Sequence, residues 1–380
     1  MTSEWKEFCW GDIATLEYGK SLRNYKKSTG QYPVFGTNGQ IGTCDKPLVD
    51  DEGVIIGRKG AYREVHFSKD PFFVIDTAFY LKLNDPTCVD ISFAYYQLLN
   101  LDINSLDSGS AIPSTSREDF YSLPVKLPPI EEQHRIVEIL KSLDDKIELN
   151  RRMNVTLEQI AQAIFKQWFI DFEFPDENGQ PYKSSGGEMV ESGLGEIPRG
   201  WEVKAIGDIL ELAYGKSLPK KKRISGPYPV YGSGGISGYH NKPLLNGPGI
   251  IVGRKGTIGS VFWVEKDFYP IDTVFFVKLK SQIPLYWVFM NLQRMNFAKL
   301  SSDSGVPGVN RNVIHFQKWV IPQKTVLDQF NSIILSILII IHKNKKEEAN
   351  LSHIRDTLLP KLMSGKIRIS EKLKLEKGLI

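Results

Sequence analysis

Residues Pro128–Phe172 read PPIEEQHRIVEILKSLDDKIELNRRMNVTLEQIAQAIFKQWFIDF in one-letter code. Within them Ile136, Leu140, Leu143, Ile147, Asn150, Asn154, Leu157, Ala161, Ile164 and Trp168 follow one another at alternating steps of four and three, the a/d spacing of a coiled-coil helix. The spacing predicts one long helix. Pro128 and Pro129 suit its first turn, where a missing N–H leaves no bond unmade, and Glu131 and Glu132 suit the positive end of the helix dipole. About 40 residues at 1.5 Å each make a rod roughly 60 Å long, sized for a spacer rather than a buried core helix. An apolar stripe alone fits ordinary core packing. The adjacent polar layers Asn150 and Asn154 point instead to a partner helix, because polar seam positions fix register more than they add stability. Phe330, Ile334, Ile337, Ile341, Asn344, Glu348, Leu351, Arg355, Leu358 and Leu362 step by the same four and three, with Asn344 falling where Asn150 does.

A length of 380 residues implies two or more domains, and 24% charged with 41% hydrophobic residues is the composition of a soluble globular protein. The opening MTSEWKEFCWGD has neither a basic n-region nor an apolar h-region. The apolar run from Ile333 to Ile341 is interrupted by Ser336 and reads as too short for a membrane span. Cys9, Cys44 and Cys88 are odd in number and widely spaced, so neither disulfides nor zinc are expected. A cytoplasmic protein without membrane contact is expected. The formal charge of +4 is unevenly placed: net −4 over residues 1–128 and +10 over 197–322. A basic segment of that kind suits a surface that meets polyanion.

Residues 1–127 read as short strands and turns, with β-rich segments at Gly53–Gly57 and Phe72–Leu83 and a helix from Asp90 to Leu101. The polar, Gly-, Ser- and Pro-rich stretch Glu173–Pro198 reads as a linker. The first domain then recurs. At a constant offset of 196, residues 18–83 match 214–279 at 30 of 66 positions. Tyr18-Gly19-Lys20-Ser21-Leu22 returns at Tyr214–Leu218, Gly57-Arg58-Lys59-Gly60 at Gly253–Gly256, and Asp76-Thr77 at Asp272-Thr273. A period this long, in two copies, is a duplicated unit of globular domain plus helix rather than a solenoid. The offset falls to 194, placed between Pro124 and Asn150, and pairing Gln133 with Gln329 would keep 196. At the far end Pro360 is expected to kink the final helical turn and Gly365 to stop it. The boundaries expected are 1–127 and 197–322 for the two globular domains, 128–172 and 323–368 for the helices, 173–196 for the linker and 369–380 for a tail.

No catalytic signature emerges. Gly19-Lys20-Ser21 lacks the upstream glycine of a phosphate loop, and the glycines from Gly232 to Gly238 do not spell a dinucleotide fingerprint. No Asn/Asp-Pro-Pro-aromatic segment of an amino-methyltransferase occurs. Glu202-Val203-Lys204 has the ExK form of some nucleases, a triplet common by chance, and the six histidines show no HxxxH or HExxH spacing. What stands out is a binding constellation present twice. Lys20, Lys26 and Lys27 precede one Tyr-Pro-Val strand, and Lys216, Lys220, Lys221, Lys222 and Arg223 precede the other. Arg58-Lys59 and Arg254-Lys255 sit between glycines at the end of an apolar strand, a sharp turn from which two cations would project. Arginine can fork onto guanine O6 and N7, and either cation can hold a phosphate. A lone Arg-Lys turn is usually just solvated; its repetition favours function. A third loop, Ser108 to Arg117, is matched with Ser304 to Arg311, and Ser114, Arg117, Asn310 and Arg311 are its candidate DNA contacts.

Leu127-Pro128-Pro129-Ile130-Glu131-Glu132-Gln133-His134-Arg135-Ile136, Trp168-Phe169 with Asp171-Phe172-Glu173-Phe174-Pro175, Lys183-Ser184-Ser185-Gly186-Gly187-Glu188-Met189, Ile197-Pro198-Arg199-Gly200-Trp201 and Leu358-Leu359-Pro360-Lys361-Leu362 closely resemble the specificity subunit of type I restriction-modification systems. The resemblance spans the chain. It implies an α+β protein of two repeated mixed α/β target recognition domains, each followed by a long helix, the two helices pairing as an antiparallel coiled coil that sets the distance between half-sites. Ile136, Leu140, Leu143, Ile147, Asn150, Asn154, Leu157, Ile334, Ile337, Ile341, Asn344, Leu351 and Leu358 are the expected coiled-coil and subunit contacts. It further implies double-stranded DNA as target, two methyltransferase subunits as partners and, for cleavage, restriction subunits. The chain itself would bind no cofactor, while its partners would use S-adenosylmethionine, ATP and Mg to modify adenine N6 and cleave DNA. The departure is Val326-Leu327-Asp328-Gln329-Phe330, which replaces the usual opening of the second helix.

A rigid coiled coil holding two related domains favours half-site centres about one helical turn apart. Differing loops, such as Thr37–Ile41 against Ser233–Ser237, would read different bases, and lysine–phosphate contacts would supply salt-dependent affinity. Two other readings fit the sequence: a related system with a fused methyltransferase-nuclease partner, and a scaffold whose globular domains bind no DNA.

Overall fold

The computed structural model describes residues 4–107, 113–302 and 308–369. It divides into two compact units, residues 1–151 with 345–380, and 152–344.

In the first unit the core is a four-stranded antiparallel sheet in the order Ala14–Tyr18, Ala78–Leu83, Gly53–Gly57, Val65–Ser68. Gly53–Gly57 is buried along its whole length, as an apolar run between covered faces should be. Beside it lies a three-stranded sheet of Gly39–Cys44, Tyr32–Gly36 and the short parallel strand Phe73–Val74. The helix Ile91–Leu99 is capped by Asp90, whose carboxylate accepts the Phe93 N–H at 2.8 Å, a side-chain cap of the usual kind. Leu16, Val54, Ile56, Phe79, Phe93, Leu98 and Phe120 form one cluster with Ile136, Val137 and Leu140 from the start of the first long helix, Ile130–Phe169, and with Leu359, Leu362 and Met363 from the end of the second, Lys324–Met363.

The second unit repeats this plan. Its four-stranded sheet runs Leu210–Tyr214, Val274–Leu279, Gly249–Gly253, Val261–Val264, and its three-stranded sheet Gly235–His240, Tyr228–Gly232, Tyr269–Pro270. Here Ala161, Phe165, Trp168 and Phe169 of the first long helix meet Phe330, Ile334, Ile337 and Ile341 of the second in the same cluster as Ile250, Phe275 and Trp287. The Phe330 ring lies 4.9 Å from Phe169 and 6.1 Å from Phe165 in edge contacts and 6.1 Å from Trp168 in a tilted one, contacts that add to the area buried.

The helices run antiparallel, as their cross-links show within each unit. Asp144 accepts from Arg355 at 2.7 Å, and Asn150 donates to Glu347 at 2.9 Å in the first unit. Asn154 accepts from Asn344 at 3.0 Å in the second. All three asparagines of the predicted polar layers are buried, and so are Ile136, Leu140, Ile147, Ile334, Ile337 and Ile341. Leu143, Leu157, Leu351 and Leu358 are half-buried.

Two expectations change, the position of the gap and the length of the apolar run, while Gly365 ends the second long helix as expected. The two-residue gap between the repeats lies earlier than Pro124. The sheets pair at an offset of 196 as far as Leu83 and Leu279, but Ile91–Leu99 is already matched by Leu285–Arg294, and Pro124–Leu127 by Lys318–Ile321, both 194 residues on. The loop between the sheet's Ala78–Leu83 strand and the following helix is therefore where the copies differ in length. Gln133 consequently matches Leu327, not Gln329. The second long helix runs on through Pro360 to Met363, and Gly365, at φ +71°, follows it. That helix also contains an 18-residue window of mean hydropathy 1.6, long and apolar enough by composition to cross a membrane. The run Ile333–Ile341 is short by itself, but Phe330 and its neighbours extend it. The coiled-coil seam accounts for the buried third of that window, with Ile333, Leu335, Ile339 and Ile340 on the exposed side.

Candidate nucleic-acid interface

Tyr18 ends one strand of the first unit's main sheet and Gly19 follows it. A Cβ at Gly19 would stand 2.0 Å from the Ile75 carbonyl oxygen, and one at Gly215 2.2 Å from that of Ile271. The chain passes too close for any side chain, which explains the recurring Tyr-Gly. Arg58 leaves the end of Gly53–Gly57 alongside. Its N–H and that of Lys59 both donate to the Thr77 carbonyl, and in the second unit Arg254 and Lys255 donate to Thr273 in the same way. Gly60 and Gly256, at φ +120° and +79°, close the turns, a conformation that favours glycine.

The arginines do not project freely as the sequence reading expected. Arg58 folds back with its guanidinium carbon 4.7 Å from the Tyr18 ring centroid, and its Nη1 donates to the Asp76 carbonyl at 2.9 Å. Arg117, the first residue of the helix Arg117–Ser122, lies 5.0 Å from the same centroid. Its Nε and Nη2 donate to the Tyr121 hydroxyl at 3.2 and 2.8 Å, and that bond raises the guanidinium pKa further. One tyrosine thus holds two arginines through cation–π contact. The second unit repeats the arrangement: Arg254 lies 4.9 Å and Arg311 5.0 Å from the Tyr214 centroid, and Arg254 Nη1 donates to the Asp272 carbonyl at 3.2 Å. Tyr18 and Tyr214 are nonetheless 47% and 48% exposed, so the two stacks lie at the surface.

The remaining candidates distribute around these stacks. Lys59 pairs with Asp76 at 3.7 Å, while Lys255 is exposed. Bridges between Lys59 and Ser114 and between Lys255 and Gly308 tie the third loop to the Arg-Lys turn, and the Thr115 and Val309 N–H groups donate to the Arg58 and Arg254 carbonyls. Residues 108–112 and 303–307 of that loop lie outside the described residues. Asn310 caps the helix Arg311–His315 by accepting the Asn312 N–H at 2.9 Å, a structural role for that side chain. Arg223 donates to the Leu218 carbonyl at 3.2 Å and to the Ser237 carbonyl at 2.7 Å, fastening its loop to a hairpin strand. Lys20, Lys26, Lys27, Lys216, Lys220, Lys221 and Lys222 are exposed, those at 26–27 and 220–222 on short 3-10 turns.

The ExK triplet lies on the strand Glu202–Ala205, where Lys204 pairs with Glu202 at 2.6 Å. All three cysteines are free. Among the described residues no three His, Cys, Asp or Glu side chains gather as a metal site.

The family model for the type I restriction modification DNA specificity domain matches residues 2–159 and 198–351. The chain belongs to that family. Among its relatives, the type I restriction enzyme MjaIX specificity subunit of Methanocaldococcus jannaschii is 24% identical over 96% of this chain and 89% of its own length. The HindI specificity subunit of Haemophilus influenzae is 27% identical over 67% and 71%. The crystal structure of a type I restriction-modification S subunit from M. genitalium shares the fold at a TM-score of 0.66, with 19% identity over 94% of this chain and 96% of that one. As a family member the chain is a sequence-specific DNA-binding specificity subunit. It is non-catalytic by itself and directs methylation and restriction by partner subunits.

Proposed function

We propose that this specificity subunit recognises a split DNA target, each half read by one of the domains at 1–127 and 197–322, and directs adenine N6 methylation there. The repeated Arg-Tyr-Arg arrangement carries the reading: two domains of the same plan offer cationic side chains at the same place, and each continues into a long helix of the antiparallel pair. Residues 128–172 and 323–368 act as the spacer, with 173–196 as linker and 369–380 as tail. Arg58, Lys59, Ser114, Arg117, Arg254, Lys255 and Arg311 contact DNA, together with the exposed lysines at 20, 26, 27, 216 and 220–222. Asn310 and Arg223 stay at the edge of that surface, holding its loops.

Two methyltransferase subunits join the chain and use S-adenosylmethionine; restriction subunits use ATP and Mg. Methylation requires the adenine out of the stack, and the domains hold the distorted duplex for the methyltransferase pocket. The complex works in the cytoplasm. Direct mapping of N6-methyladenine in DNA from a methylation-free host expressing the chain with its cognate methyltransferase tests this. A split motif that vanishes when the chain is omitted supports the reading. A contiguous motif, or none despite a stable complex, overturns it.

A further inference from the structure

Two guanidinium groups sharing one ring is an unusual way to leave charge at a surface. Arg58 and Arg117 can be no farther apart than the sum of their 4.7 and 5.0 Å distances to the Tyr18 centroid. Arg254 and Arg311 are equally confined about Tyr214. Like charges held around one ring repel each other in the free protein, and an anion bound at the exposed edge of the stack, within reach of both, relieves that repulsion. Each guanidinium has five donors, and among the described residues the bonds to Asp76, Asp272 and Tyr121 leave several in each stack without a partner.

The two stacks are alike while their surroundings are not. Thr37, Asn38 and Gln40 stand where Ser233, Gly234 and Ile236 stand in the second copy, and Arg23 and Asn24 where Pro219 and Lys220 do. A group that is the same in both domains cannot tell one half-site from the other. Its ligand is something both half-sites share, and the phosphodiester backbone is shared by every stretch of duplex.

Resting on the split-target reading above, we propose that each Arg-Tyr-Arg stack is a clamp for the DNA phosphodiester backbone. Tyr18 and Tyr214 are its positioning residues, and base choice is left to the unlike loops around it. This withdraws the arginine pairs from guanine reading. Phosphate contacts fix register without carrying sequence, so one clamp per domain would seat both domains in the same pose while their loops read different bases. Planar guanidinium suits the task because it stacks and forks onto phosphate at once, which lysine does not.

The test uses the chain assembled with its methyltransferase, carrying Arg58→Met, Arg254→Met, Arg58→Lys or Tyr18→Leu. Affinity is measured by fluorescence anisotropy for a duplex bearing the mapped target and for a scrambled duplex, across a salt series, and the methylated motif is mapped for each variant. Arg58→Met and Arg254→Met should each weaken both duplexes by the same factor, on the order of tenfold. They should lower the salt slope by about one and leave the motif unchanged. Arg58→Lys and Tyr18→Leu should show smaller losses of the same uniform kind. A motif relaxed at one base, or a loss confined to the target duplex, would make these arginines base readers and overturn the proposal. Unchanged affinity, or failure of the Met variants to assemble while Arg58→Lys assembles and binds normally, would make the stack structural and also overturn it. If the unsubstituted complex fails to distinguish the two duplexes, the split-target reading fails, and uniform, salt-dependent losses in the variants would still support the clamp.

Discussion

In the first unit Gln133 is fully buried at the opening of the long helix, donating to the Cys88 and Pro128 carbonyls at 2.9 Å and accepting the Asp90 N–H at 2.9 Å. Beside it Glu132, 4% exposed, receives a two-point bond from Arg368 at 2.7 and 2.8 Å. The same two positions in the second unit are Val326 and Leu327, 6% and 3% exposed. One domain is fixed to its helix by directional polar bonds, the other by apolar contact. A polar anchor tolerates one geometry and leaves unpaired groups when disturbed, whereas an apolar one accepts small shifts at small cost. The departure from the family's usual helix opening is thus a change in how the joint is made, with the joint kept.

The largest effect should come from the apolar joint. Phe330→Ala removes a fully buried ring from contact with Phe165, Trp168 and Phe169 and is expected to destabilise the second unit by about 3–5 kcal/mol. Ile136→Ala at the matching place should cost the first unit about 2–4 kcal/mol. Denaturant unfolding of each variant reads both, and equal losses would erase the contrast. Next, Gln133→Leu installs the second unit's residue in the first. It leaves an N–H and two carbonyls unpaired, for an expected loss of about 2 kcal/mol. A neutral result would mean those bonds do not hold the joint.

The smallest expected effect concerns Tyr121 and its counterpart His315. The Tyr121 hydroxyl accepts the Leu16 N–H at 3.0 Å, and His315 Nε2 accepts the Leu212 N–H at 3.1 Å. Burial, then Lys280 and Arg311, push the His315 pKa below its ordinary value. The unfolded chain therefore takes up the proton more readily than the folded one. Stability from this group is full above about pH 6.5 and falls as pH drops from there toward the lowered folded value. His315→Tyr should remove that acid dependence, seen as a flatter profile of unfolding midpoint against pH. A profile unchanged by the substitution would assign the dependence elsewhere.

The spacer was legible because its signal is periodic and local: Ile136 through Trp168 spell one seam, and Phe330 through Leu362 the other. The strand framework was legible up to Leu83 because side chains facing a shared core recur at matching positions. Beyond it the helices Ile91–Leu99 and Leu285–Arg294 keep their fold with few identities, so the sequence there does not mark where the length changes. The stacks were half legible. Arg58 and Arg254 were conspicuous through repetition, but stacking depends on where strand ends converge, which no local pattern reports. The signal for Tyr18 and Tyr214 was present in a tyrosine recurring beside a glycine at the end of an apolar strand, and the Arg117–Tyr121 spacing of four marked one helical face.

The account's central claim is that each domain reads its own half of the target while sharing a common anchor. The most direct measurement replaces residues 197–322 with a second copy of 1–127, assembles the chain with its methyltransferase and maps the methylated sequence. The expected result is a symmetrical motif carrying the first half-site twice, in inverted orientation, with the spacer unchanged. A motif identical to that of the unaltered chain, from a complex that assembles normally, would contradict it.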